Sequence, residues 1–167
     1  FAPGTPIGIL LPHWARRWDM PQAALVAGTT DSTAAFLATG ADRIGQAVTS
    51  LGSTLVLKVL GERPVFAPEY GVYSHRLGDR WLVGGASNSG GAVLRRFFSN
   101  ERLRELESAL NPEMDTGLDY YPLPSAGERF PINDPQLEPR IAPRPADDAR
   151  FLQGMLEGIA DIERRGY

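Results

Sequence analysis

Two stretches decide the fold: Ala23-Ala24-Leu25-Val26-Ala27-Gly28-Thr29-Thr30-Asp31, and Ser50-Leu51-Gly52-Ser53-Thr54-Leu55 some twenty positions later. In the first, a short, wholly apolar run gives way to small residues and a carboxylate. That pattern predicts a strand buried on both faces, as in a parallel sheet flanked by helices, followed by a turn and a helix. The helix is expected over Ser32 to about Thr39, closed by Gly40. In the second, a glycine and two hydroxyls interrupt a strand-like run from Ala47 to Leu60. A carboxylate facing a turn that presents backbone N–H groups and hydroxyls suits phosphoryl transfer: one group accepts a proton, the other holds phosphate oxygens.

Outward from these stretches, the first twelve residues read as a loop with one extended piece, Ile7 to Leu11, and His13 to Asp19 as one or two helical turns that stop before Pro21. From Ile44 the character changes. Ala47–Ser50, Leu55–Leu60, Gly71–Leu77 and Arg80–Gly84 predict a small, largely antiparallel meander, with Leu77-Gly78-Asp79-Arg80 as a hairpin turn. A glycine-rich run, Gly84 to Gly91, precedes a helix expected over Ala92 to about Phe98. A second helix, about Glu101 to Leu110, places Leu103, Leu106 and Leu110 on one face. Residues 111–147 carry eight prolines; so long a loop is expected to be functional or to wrap a partner surface. The last helix is marked by Phe151, Leu152, Met155, Leu156, Ile159 and Ile162, with acids at its start and arginines at its end.

Composition narrows the classes. The net charge of −3 with no basic patch argues against nucleic acid and anionic membranes. With no cysteine there are no disulfides and no thiolate metal sites, which agrees with a cytoplasmic home. His13 and His75 show no ligand spacing and read as surface or capping residues. Trp14, Trp18 and Trp81 read as packing residues, and Glu128-Arg129 as a structural ion pair. Each chemical candidate has a plain structural alternative. Asp31 is a base in a cleft or an N-cap; Gly52-Ser53-Thr54 is a phosphate turn or a hairpin; the run 84–91 is a backbone approach to a nucleotide or a tight turn.

Taken in order, Gly28-Thr29-Thr30-Asp31, Leu51-Gly52-Ser53-Thr54, Gly84 to Ala92, Gly127-Glu128-Arg129-Phe130-Pro131 and Leu156-Glu157-Gly158-Ile159-Ala160 resemble the FGGY carbohydrate kinase family. Tyr121-Pro122-Leu123-Pro124 ahead of the Glu128 motif is similar to the ribulokinase- and xylulokinase-like branch. The resemblance implies an α/β chain with part of the two-lobed, actin-like ATPase (ribonuclease H-like) fold: residues 1–46 ending the first, sugar-binding lobe, and 47–167 beginning the second, nucleotide-binding lobe. It implies a kinase that phosphorylates a sugar hydroxyl, with a pentulose such as ribulose or xylulose as the expected substrate. Asp31 would be the general base, Thr30 and Asp31 would touch the sugar, and Gly52, Ser53, Thr54 and Gly91 would lie at the ATP phosphates. Arg95, one helical turn beyond Gly91, takes no role from the resemblance. Cofactors would be ATP and magnesium, the metal held mainly through the phosphates with no protein metal site. Partners would be sugar and ATP, with neither nucleic acid nor membrane, and a homodimer as the assembly to look for. The chain reads as a middle-to-late piece of such a kinase and is expected to be inert alone. The rival readings are an actin-like-fold ATPase without a sugar substrate and a non-catalytic binding module.

Overall fold

The computed structural model describes residues 1–167. The N-terminal part forms a two-stranded antiparallel sheet, β1 (Pro6–Ile9) with β2 (Ala24–Val26), bridged by the short helix α1 (Pro12–Arg17). Helix α2 (Asp31–Ala38) follows. Next comes a four-stranded antiparallel sheet of β3 (Ala47–Leu51), β4 (Leu55–Gly61), β5 (Tyr73–Leu77) and β6 (Arg80–Ser87). A four-residue helix α3 (Gly91–Leu94), then α4 (Asn100–Glu107) and the long α5 (Asp148–Gly166) complete the chain.

Alternation along β4 sets the two faces of the larger sheet. Leu55 and Leu57 point to one side, where they pack in a core with Phe151, Leu152, Met155, Ile159 and Ile162 of α5. Each such buried side chain is worth about 1.5–3 kcal/mol against exposure, which makes α5 the principal support of the sheet. Asp147 caps α5, its carboxylate accepting from Ala149 N–H at 2.9 Å, and Arg164 and Arg165 occupy the last turn. Leu60 points to the other side, where with Leu82 of β6 it buries Phe36 of α2. So α2 lies on one face of the sheet and α5 on the opposite face. At the carboxyl end of α5, Thr49 of β3 donates to Glu163 and shares a 2.8 Å hydrogen bond with the Tyr167 hydroxyl.

The proline-rich segment 111–147 is laid over this domain's own core. Tyr120, Tyr121, Leu123 and Phe130 are buried in it. Gly154 and Gly158 make the close approach to α5 feasible, since a Cβ at 158 would sit 2.7 Å from Tyr120 O and one at 154 would sit 2.8 Å from Leu118 Cδ1. Polar groups of the segment find partners on the same helix. Gln153 Nε2 donates to Asn111 O at 2.8 Å and to Met114 O at 2.6 Å, and Thr116 donates to Glu157. An antiparallel bridge, Tyr121 with Arg140, pins the segment to itself.

Several sequence expectations need correction. The apolar run at Ala24–Val26 is neither buried nor parallel. It pairs antiparallel with β1 and all three residues are exposed, because no helix or second sheet covers it here. The larger sheet is not a simple meander. Its order is β3-β4-β6-β5, so β6 passes between β4 and β5, and β5 becomes the edge. The hairpin at Gly78-Asp79 joins β5 and β6 as expected, with Gly78 at φ +62°. The first half of the glycine-rich run is strand, not loop: β6 continues to Ser87. Its glycines are required by neighbours across the sheet and above it. A Cβ at Gly84 would overlap the Leu57 carbonyl, and one at Gly85 would overlap the Phe130 ring. The helix expected over 92–98 amounts to α3 alone. Trp14 and Trp18 do not pack inside; they stack on each other, 4.9 Å between centroids, and both stay exposed.

Gly84→Ala is expected to destabilise the protein by about 1–3 kcal/mol or more, because the added methyl meets backbone and cannot be relieved by a rotamer change. Urea unfolding of the variant beside the parent measures it. A loss below about 0.5 kcal/mol, the ordinary range for a surface substitution, would contradict the β4–β6 packing described here.

Candidate active site

The two small-residue turns of the second sheet meet each other. Gly52, Ser53 and Thr54 form the turn of the β3–β4 hairpin, between the paired residues Leu51 and Leu55. Against it lies the start of α3. Gly91 N–H donates to Gly52 O at 2.8 Å, Ala92 N–H to Ser53 O at 3.1 Å, and Leu55 N–H to Ser89 O at 2.7 Å. Glycine is needed on the α3 side for this approach. A Cβ at Gly90 would come within 2.8 Å of the Thr54 backbone, and one at Gly91 within 2.7 Å of Gly52 O. Gly90 also has φ +141°, a conformation that L side chains rarely adopt.

This arrangement divides the N–H groups into used and free. The Gly91 N–H is spent on Gly52, so Gly91 acts by close approach and not as a donor to an anion. The Ser53 and Thr54 N–H groups donate to no other group, and the Thr54 hydroxyl makes no hydrogen bond within the chain. Ser53 Oγ accepts from Arg95 Nη2 at 3.0 Å. Arg95 is exposed and forms no ion pair. The result is a solvent-facing turn with two free backbone donors, two hydroxyls and one guanidinium outside any ion pair, a donor set that fits phosphate oxygens. Its place one helical turn beyond Gly91 is the one local signal that could have singled out Arg95.

No hydrogen bond joins Thr30 or Asp31 to this turn. Thr30, not Asp31, is the N-cap of α2: it has extended backbone, φ −85° and ψ 156°, and its Oγ1 accepts from Thr33 N–H at 3.3 Å. The same hydroxyl shares a 3.0 Å hydrogen bond with Thr33 Oγ1. Asp31 is the first helical residue. Its Oδ1 accepts from Ser32 N–H at 2.7 Å, its Oδ2 is uncommitted, and the side chain is exposed. A carboxylate so placed can accept a proton from a hydroxyl brought to it.

Glu128 is a buried carboxylate that sequence reading took for half of an ion pair. No such pair exists. Oε1 accepts from Asn88 N–H at 2.7 Å and Arg129 N–H at 2.8 Å; Oε2 accepts from Ser87 Oγ at 2.6 Å and Tyr121 OH at 3.1 Å. Burial and the adjacent carboxylate push the Tyr121 phenol well above its ordinary range. On the other face of the sheet, Lys58 is also buried, over the Tyr73 ring at 4.6 Å and 3.4 Å from His75 Nδ1. Burial lowers its pKa. His13 is exposed and stands against Trp14. No group of three or more acidic or histidine side chains is placed to hold a metal ion, and no helix is long and apolar enough to cross a membrane.

No family model matches the chain. Over 137 residues it is 30% identical to the xylulose kinase of Escherichia coli (strain K12), an alignment that takes in 78% of this chain and 28% of the relative. It is 25% identical over 134 residues to the gluconokinase of Bacillus subtilis (strain 168), covering 70% of this chain and 26% of the relative. The chain therefore spans little more than a quarter of the length of these curated relatives. Among solved structures, gluconate kinase from Lactobacillus acidophilus superposes with a TM-score of 0.77 at 15% identity, over 99% of this chain and 36% of that one. The fold is thus part of the actin-like ATPase fold of such kinases.

Gly91→Ala is expected to force the two turns apart, since its methyl would press on Gly52 O at 2.7 Å. Amide hydrogen exchange at Ala92 and Leu55 should rise about tenfold relative to the β5–β6 hairpin, the loss of roughly one hydrogen bond's stability. Unchanged exchange at both amides would show that the turns do not depend on each other.

Proposed function

We propose that this chain, a homologue of the FGGY-family carbohydrate kinases, is the part of such an enzyme in which an acceptor carboxylate and a phosphate-binding turn meet around a sugar and ATP. The observation that carries the reading is the β3–β4 turn, with its free Ser53 and Thr54 N–H groups, its hydroxyls and Arg95 on one exposed surface. ATP with magnesium supplies the transferable phosphoryl group when bound, the metal held mainly through the phosphates. Ser53 and Thr54 hold phosphate oxygens through backbone and hydroxyl donors, Arg95 adds positive charge beside them, and Gly52 and Gly91 let backbone approach closely.

On this reading Asp31 is the general base. A sugar hydroxyl is a poor nucleophile near neutral pH, and a carboxylate that takes its proton as the bond to phosphorus forms contributes typically 10²–10⁴-fold. Asp31 Oδ2 is free for this role, while Thr30 fixes the start of α2 and presents Asp31 to the sugar. Residues 1–46 then belong to the sugar-binding lobe and 47–167 to the nucleotide-binding lobe. The substrate class is a sugar or sugar acid. A pentulose is favoured by the sequence motifs around Tyr121 and Glu128, and the xylulose kinase relative is consistent with it. A cytoplasmic enzyme goes with this activity. The isolated chain is inert, because the whole ligand site needs surfaces that a quarter of such an enzyme does not provide.

The test is ADP release by the full-length protein with magnesium and ATP, across ribulose, xylulose, glycerol and gluconate, beside Asp31→Asn. Release should require one sugar and fall by about 10²–10⁴-fold in the variant, and the 167-residue chain alone should release none. Sugar-independent release, equal in the variant, would instead support an ATPase of this fold without a sugar substrate.

A further inference from the structure

We propose that Glu128 is the positioning residue of the phosphate turn, acting through the Ser87-Asn88-Ser89 segment and not by touching substrate. The proposal rests on the reading of Gly52-Ser53-Thr54 as a phosphate site.

Glu128 is 2% exposed, and no lysine, arginine or histidine pairs with it. A buried carboxylate without a cation carries a large desolvation cost unless hydrogen bonds meet it. Here five neutral donors do so: the Asn88 and Arg129 N–H groups and, at 3.5 Å, the Phe130 N–H on Oε1, and the Ser87 and Tyr121 hydroxyls on Oε2. If the only task were to fill this volume, an apolar side chain would do so without the charge. What a carboxylate alone offers is acceptance from every side with no donor of its own.

From that anchor a continuous path reaches the turn. Ser87 Oγ, while donating to Glu128, accepts from Ser89 N–H at 2.9 Å. Ser89 Oγ donates to Pro122 O at 2.5 Å, within the same strap that carries Glu128. Ser89 O then accepts from Leu55 N–H at 2.7 Å, and Leu55 is the residue that follows Thr54. In parallel, Asn88 is held at both ends, its N–H by Glu128 and its Nδ2 by Gly127 O at 2.9 Å. The next residues, Gly90 and Gly91, are those that lie against Thr54 and Gly52. Glu128 therefore fixes the end of β6 from which the turn is held, and through it the direction of the free Ser53 and Thr54 donors.

The experiment compares the full-length protein with its Glu128→Gln and Tyr121→Phe variants. Glutamine keeps shape and volume but offers one oxygen to five donors. Tyr121→Phe keeps the carboxylate and removes a single donor. In Glu128→Gln, amide exchange across residues 52–55 and 88–92 should accelerate about tenfold and KM for MgATP should rise about tenfold, while KM for the sugar and exchange over 73–80 stay within about twofold. Tyr121→Phe should move the same readouts in the same direction by less. A uniform fall in melting temperature, with exchange at 52–55 and KM for MgATP at parental values, would overturn the proposal and leave Glu128 a packing residue. A parent that never saturates with MgATP would instead sink the phosphate reading, and the exchange data would then decide the link from Glu128 to the turn by themselves.

Discussion

The structure turns on one close approach of backbone to backbone. Gly90 and Gly91 let the start of α3 lie directly on the β3–β4 turn, with Gly91 N–H on Gly52 O and Leu55 N–H on Ser89 O. Any Cβ at either glycine would separate them. Because the hairpin turn is closed by the chain that leaves β6, the order β3-β4-β6-β5 follows: β6 must lie beside β4 for its end to reach the turn. Gly84 serves the same arrangement further along, since only a residue without a side chain fits beside the Leu57 carbonyl.

Support comes from the α5 face of the sheet. Five apolar residues of α5 cover Leu55 and Leu57 of β4, and the proline-rich strap is held to the same helix by Gln153 and Glu157. The strap in turn carries Phe130 against Gly85 and Glu128 against Ser87, on that same face. A segment without regular structure is thus as much a part of the core as the helices are. Its backbone groups are met partly by side chains and partly by isolated bridges such as Tyr121 with Arg140 and Glu128 with Asp134, which is how such a loop avoids the cost of buried unpaired polar groups.

What could be read from the residues follows how local each cause is. The hairpin at Gly78, the extent and polarity of α5, and the stop of α2 at Gly40 each depend on residues within a few positions, and all were legible. The strand β2 was misread because an unbroken apolar run looks the same whether it is buried in a parallel sheet or exposed in an antiparallel pair. Gly84 and Gly85 suggested a loop because their reason for being glycine lies far along the chain, in Leu57 and Phe130. The contact between the Gly52 and Gly91 turns has no signal in the sequence: the resemblance implies a place at the ATP phosphates for each, and spacing alone leaves each as a plain turn. Glu128 forms no ion pair with the Arg129 side chain, and its five neutral donors from three segments leave no pattern that the sequence displays.

The two halves of the candidate chemistry are held with different firmness, and this bears on how such a site would work. The β3–β4 turn is braced by three backbone hydrogen bonds and by the Glu128 network behind them. Asp31 sits at the start of α2, whose anchor is Phe36 among Leu60 and Leu82, toward the end of β4 remote from the turn. Five residues of helix, about 7–8 Å of rise, separate carboxylate from anchor, and no hydrogen bond joins Asp31 to the turn. On the proposed reading, the acceptor is free to change its distance from the phosphate donors by small movements of α2, while the donors keep their geometry. That is the division of labour expected where closure around a sugar brings the base to a pre-organised phosphate site and excludes water only once both ligands are present.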